Sequence, residues 1–312
     1  MAWATITGRR PELEAIEVNY PEGYIGLRIY PKERKTTKTG TIYYMPVGTT
    51  ITAQTGRNPQ TGTITRNFFA SANTSFSCAE VIARASIAAQ EVESFGGIEV
   101  AEEHGARMVK RAIMAKMEKA AADKVMASES PYTPGTGELV DTIRDAAESI
   151  KNYGGRLALV CSLSAYGYIM NLQEVRSRLS FSGTREWDRE TLLALKPEVL
   201  REMLQQMYTV EEILVGDNMY WPANMAAVVK LPSEEPMSYK LAPELGKTIA
   251  YSTDGVDVCE IESDADYGAQ VDDFTGKSYY NIVELNSGAR KVIQLFEEQD
   301  SGSGSSSSSS GE

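Results

Sequence analysis

Between residues 39 and 79 the chain carries no aspartate, glutamate or lysine; its only charges are Arg57 and Arg66, and ten of these residues are threonine. Such a stretch is too poor in large apolar side chains to close a core of its own. Two β-rich runs, residues 41–45 and 63–69, bracket a Gly/Thr/Pro/Asn-rich segment that includes residues 56–62. The pattern predicts a long hairpin with an extended tip. A lone hairpin is marginal in water, so this one calls for another surface to lie on. A plain surface loop is the alternative that composition leaves open.

A third extended run, residues 76–87, leads into a helix predicted over 98–127. Met108, Val109, Ala112, Ile113, the Lys116 stem, Met117 and Ala120 trace a stripe at helical spacing, and Glu103 and Arg107 form an i,i+4 pair. At 1.5 Å per residue the helix is about 45 Å long, a strut for a flattened molecule. Pro131 and Pro134 mark a boundary. Beyond it, Leu139, Val140, Ile143, Ala146, Ala147 and Ile150 predict an amphipathic helix, followed by a buried strand at 157–161. Ser164 is placed to cap a short helix through Asn171, and Pro197 opens another through Tyr208. Short strands at 213–215, 226–229 and 256–259 complete a second α/β lobe. Residues 279–285, a turn at 286–288 and residues 290–296 read as a closing hairpin, and the Ser/Gly tail as disordered.

Charge narrows the function classes. The net charge is −12, yet residues 1–130 hold 16 basic and 14 acidic residues, so the acidity lies downstream. An acidic chain lacks the footprint for tight phosphate binding, and no run of eighteen apolar residues suits a bilayer. Three separated cysteines argue against a disulfide framework, and no signal peptide is visible. Catalytic signatures are equally thin. His104 is the only histidine and sits in the first turns of the long helix; no nucleophile elbow, phosphate loop, dinucleotide fingerprint or Cys-x-x-Cys occurs. Counting a calcium loop from Asp264 puts Ala269 where glycine is needed and Thr275 where glutamate is needed, so residues 264–268 read as an acidic solvated loop.

The order of elements nevertheless carries a resemblance. Residues 24–31, 40–46, 75–80, the long helix, the 139–159 helix–strand unit, residues 209–216 and the closing hairpin follow one another as in tailed-bacteriophage major capsid proteins. The chain resembles that family, with its α+β Hong Kong 97 fold, from about Glu17 to Phe296. The resemblance implies an N-terminal arm (1–35), an extended E-loop hairpin (36–75) and a P-domain sheet with a spine helix (76–134 and 263–300, helix 98–127). It further implies an A-domain (135–262), leaving a disordered tail (301–312). It implies no fused scaffolding segment, no enzymatic activity and no cofactor or metal. The expected role is a shell subunit, in pentamers and hexamers of an icosahedral head built in the host cytoplasm around non-specifically held double-stranded DNA. Scaffold, portal and decoration proteins are the further partners it allows. Arg57, Arg66, Tyr43 and Phe68 are the expected inter-subunit contacts. The alternatives are an encapsulin-like nanocompartment shell and a cytosolic α/β enzyme, which would need a convergent site around His104.

Overall fold

The protein is described here from a computed structural model that covers residues 8–46, 72–88, 90–128, 130–133, 139–151, 156–172, 175, 197–232, 243–253, 256–266 and 271–296. Two sheets share one long helix. The larger is centred on β12 (Val271–Glu284). Its first part lies between β5 (Ala79–Ala88) and β11 (Cys259–Asp266), and its last residues pair with β9 (Gly246–Thr253). The N-terminal segment adds β1 (Gly8–Arg9) antiparallel to β11 and β2 (Lys32–Lys35) parallel to β9, while β10 (Val256–Asp257) extends β9. The smaller sheet has the order β13 (Arg290–Gln294), β8 (Met225–Lys230), β6 (Leu157–Ser162), β7 (Glu212–Gly216).

Helix α4 (Ile98–Met126) follows α1 (Pro11–Glu14), α2 (Gly26–Ile29) and α3 (Val92–Phe95) along the chain and covers both sheets. Its first half buries Ala101, Ala106, Val109, Ile113 and Met117 against Ile87, Ile261 and Phe274 of the larger sheet. Its last turns place Ala121, Ala122 and Val125 with Val160, Leu214 and Val229 of the smaller one, together with Ile25, Ile29 and Tyr30. Close approach has a simple cause. A Cβ on Gly105 would stand 2.5 Å from the Phe274 ring, and one on Gly276 only 2.1 Å from Val109. The buried face therefore runs 101–105–109–113–117–121–125, and the predicted stripe was rotated from it. Met108 is exposed and Lys116 donates to the Ile82 carbonyl. At Gly105 the helix has no side chain because the Phe274 ring fills that space, while Val109, Ile113 and Met117 of the predicted stripe do face the sheet.

On its other face the smaller sheet meets α5 (Leu139–Lys151), α6 (Leu163–Asn171) and α7 (Pro197–Tyr208), through Ile143, Ile150, Ile169, Leu204 and Tyr208. Covered on both sides, β6 is buried at every residue, which explains why it reads as an unbroken apolar run. The cap of α6 is Ser162, whose hydroxyl accepts from the Ala165 amide, rather than Ser164.

The strands depart further from the sequence expectations. Residues 279–285 and 290–296 do not form a hairpin. The first run belongs to β12 and pairs with β9, the second contains β13 and pairs with β8, and a short 3-10 turn (Ser287–Ala289) carries the chain from one sheet to the other. Strand β9 was not foreseen, so the span 135–262 holds strands of both sheets. Asp264 and Asp266 lie in β11 rather than in a solvated loop.

Candidate functional site

The charge-poor segment enters and leaves the body through a two-stranded ladder, β3 (Thr39–Tyr44) with β4 (Ala72–Ser77), in register from Thr39↔Ser77 to Tyr44↔Ala72. The return strand is thus 72–77, and the predicted run 63–69 lies outside the described residues. Ile42 and Phe76 point inward onto Ile249, Val283 and Leu285, and alternation turns Tyr43 outward, 55% exposed. Of the four expected contact residues, Tyr43 is therefore on the surface of the ladder; Arg57, Arg66 and Phe68 lie outside the described residues.

The root of the ladder is fastened by specific contacts. The Cys78 amide donates to the Lys38 carbonyl at 2.7 Å, breaking the expected continuous strand 76–87 into β4 and β5. The Asn286 side-chain amide donates to the carbonyls of Met45 (3.2 Å) and Glu244 (2.8 Å). The Lys38 ammonium stands 3.4 Å from the centre of the Tyr279 ring and 5.3 Å from that of Tyr251, and the two rings meet edge-on at 6.1 Å. Lys38 thus sits on aromatic faces, while Lys32 pairs with Asp257 at 2.6 Å and Lys35 with Glu33 at 2.5 Å.

The N-terminal arm is tied down along its length. Arg10, 7% exposed, donates to both oxygens of Glu102 (3.1 and 2.8 Å) and also pairs with Glu12; Glu102 raises its pKa most. Further along, Glu118 of α4 is fully buried and gathers donors from three directions. Its oxygens accept from the amides of Ile25 and Gly26 and the Trp221 indole, all at 2.8 Å. The Asn218 side chain at 3.4 Å and the Tyr20 hydroxyl at 3.5 Å complete the set. One carboxylate thereby joins the arm, the helix and the loop after β7. Neither residue was singled out in the sequence; the available signal was Glu118 itself, an acid directly after Met117 on the buried stripe. Between arm residues 14–19, α4 and strands β9, β11 and β12 lies a cavity of about 420 Å3. Lys110 lines it, donating to the carbonyls of Glu14 and Ile16, and burial pushes its pKa down.

His104 stacks on Phe95 at 4.7 Å on the outer side of α4. Cys78 and Cys161 are buried, and desolvation raises the Cys161 thiol to about 12, far from a reactive thiolate. Among the described residues no group of three His, Cys, Asp or Glu side chains is placed to hold a metal ion. No described helix is long and apolar enough to cross a membrane.

No family model matches the chain, and no curated protein matches it in sequence. Solved structures do. A phage-related protein from Bordetella bronchiseptica superposes with a TM-score of 0.63 at 14% identity, over 93% of this chain and 98% of that one. The capsid protein of cyanophage P-SCSP1u gives 0.54 at 10% identity, over 90% of each chain. This is the Hong Kong 97 capsid fold. A virus-like particle from Pyrococcus furiosus shares it, with a TM-score of 0.51 at 11% identity over 86% of this chain and 91% of that one. The fold's α+β character, its spanning helix and its nearly whole-chain extent agree with the sequence resemblance.

Proposed function

We propose that this chain is the major capsid protein of a tailed bacteriophage, assembling as pentamers and hexamers into an icosahedral head around double-stranded DNA. The observation that carries the reading is the superposition over nearly the whole chain with a phage-related protein and a cyanophage capsid protein. The role is structural rather than enzymatic, exercised in the virion after assembly in the host cytoplasm. Residues 1–35 act as the arm, 36–75 as the hairpin that reaches a neighbouring subunit, and α4 as the spine. The larger sheet is the peripheral domain. The smaller sheet with α5–α7 is the axial one, so β13 is assigned to the axial domain and β9 to the peripheral domain. Tyr43, Arg57, Arg66 and Phe68 contact the neighbour. DNA is held without sequence readout, and an acidic chain suits a lining that lets it slide. Scaffold, portal and decoration proteins are the further partners of such a head.

The likeness to the Pyrococcus furiosus virus-like particle supports a second reading, a protein-filled nanocompartment. Negative-stain imaging of the expressed chain tests both. Closed shells are expected, and loss of residues 49–61 should leave a soluble, folded subunit that no longer closes them. Nucleic acid inside large particles favours the head; small particles free of it favour the compartment. A monodisperse monomer under all conditions refutes the shell itself.

A further inference from the structure

Asp272 is an anomaly in the larger sheet. It is 1% exposed, and neither carboxylate oxygen has a hydrogen-bond partner. Strand alternation places it on the same face as Phe274, which packs under α4 at Gly105, and its register partner on β5 is Ile87. Among the described residues the buried guanidinium nearby, Arg10, is already committed to both oxygens of Glu102 and to Glu12. Around Asp272 the charged groups are Glu102 on α4, Arg10 at the arm, Asp273 beside it on β12 and Asp264 on β11, three of them acidic. A carboxylate in that setting has two ways to relieve itself: take up a proton, or let the arm lift so that water reaches it.

We propose that Asp272 is a proton-operated clasp for the N-terminal arm, closed when the acid is neutral and loosened when it ionises. The arm segment it controls is the one held by β1 on β11 and by the Arg10 amide on the Ile261 carbonyl at 2.8 Å. Burial, reinforced by Glu102, raises Asp272 from 3.8 to about 6. The sign follows from proton linkage. With the arm docked the acid binds its proton more tightly than with the arm lifted, so docking is strongest in acid. It weakens as pH rises between 4 and 6, and levels off above 6. One proton makes the arm-opening constant rise about tenfold per pH unit in that window, about a hundredfold in all. The device belongs to the single subunit and stands whether or not the chain builds a shell.

Hydrogen exchange of the full chain between pH 4.5 and 7.5, corrected for intrinsic rates, reads the clasp at residues 8–16. Wild type should lose protection with rising pH and reach a plateau near 6, while Asp272→Asn should keep its protection throughout. If Asp272→Asn does not fold, Glu102→Gln supplies the second reading. Removing the Glu102 charge and freeing Arg10 beside Asp272 lowers the docked acid's pKa, so the loss of protection should level off at lower pH and be smaller in total. A wild-type profile flat across the range overturns the proposal. So does an unchanged rise in Asp272→Asn or an unchanged midpoint in Glu102→Gln.

Discussion

Replacing Glu118 with glutamine changes almost no volume and removes one charge, so its effect isolates the hydrogen-bond node. Glutamine offers one acceptor oxygen where the carboxylate offers two. If the oxygen stays toward Ile25, Trp221 and Asn218, an NH2 group faces the Gly26 amide and the Tyr20 hydroxyl, which lie 2.8 and 3.5 Å from the present oxygen. The hydroxyl can turn; the amide cannot, since Gly26 is fixed as the first residue of α2. A buried donor left without an acceptor costs about 1–3 kcal/mol, and weakening the remaining charged bonds adds a comparable amount. Against this stands the relief of desolvating an anion that no described cation pairs with. The immobile donors decide the balance, and the expected net loss is about 3 kcal/mol. For a chain of 312 residues that corresponds to a fall in Tm of roughly 5 °C. Exchange at the Ile25 and Gly26 amides should speed by about a hundredfold if opening is local. Glu118→Leu, which leaves every donor unmet, should be worse still. A melting temperature for Glu118→Gln within 2 °C of wild type, with unchanged exchange at those amides, would refute the reasoning.

Two glycines in helices should respond to alanine with opposite signs. Gly105→Ala forces a methyl toward Phe274 and should lower the urea midpoint by the equivalent of about 1–2 kcal/mol, whereas Gly167→Ala, with open space around its Cβ, should raise stability by up to ~1 kcal/mol. Lys38→Met keeps the stem but removes the charge from the Tyr279 face, at an expected cost of about 0.5–2 kcal/mol in urea unfolding, and Lys38→Arg should restore most of it. Boiling assembled particles in detergent should release a single band near 34.2 kDa. No lysine occurs between Lys38 and Lys110, and guanidiniums cannot serve as the amine of an isopeptide bond. A ladder that survives reductant would contradict this.

Local periodicity made α4 and α5 legible, because an amphipathic stripe is written within the segment that uses it. All six residues named for α5 are buried. What escaped was set by distant partners. The Asn286–Gly288 turn between two apolar runs has every local mark of a hairpin, yet β12 and β13 find better partners in β9 and β8, and nothing within residues 279–296 records that choice. Strand β9 was hidden because three of its buried residues, Lys247, Thr248 and Ser252, are polar. Lys247 is paired with Glu244, and the Thr248 hydroxyl donates to the Tyr30 carbonyl. The hairpin was legible as a feature that needed a partner surface; its described return strand is Ala72–Ser77, and the predicted run 63–69 lies outside the described residues. Arg10, Glu102, Glu118 and Asp272 were invisible as a set because each meets its neighbours only in three dimensions.

The passage of the chain from one sheet to the other at Ser287–Ala289 also fixes an order of events during synthesis. Strand β12 is the central member of the larger sheet, and β13 completes the smaller one, with Ile293 fully buried in its core. Both come from residues 271–294, the last described part of the chain. While a ribosome is still making residues before 271, β5 has no neighbour on β12's side and β8 lacks its edge partner, so neither core can close. A nascent chain therefore has no finished surface to offer to other copies. Completeness is checked by the topology itself: a product truncated before residue 271 lacks a strand in each sheet at once.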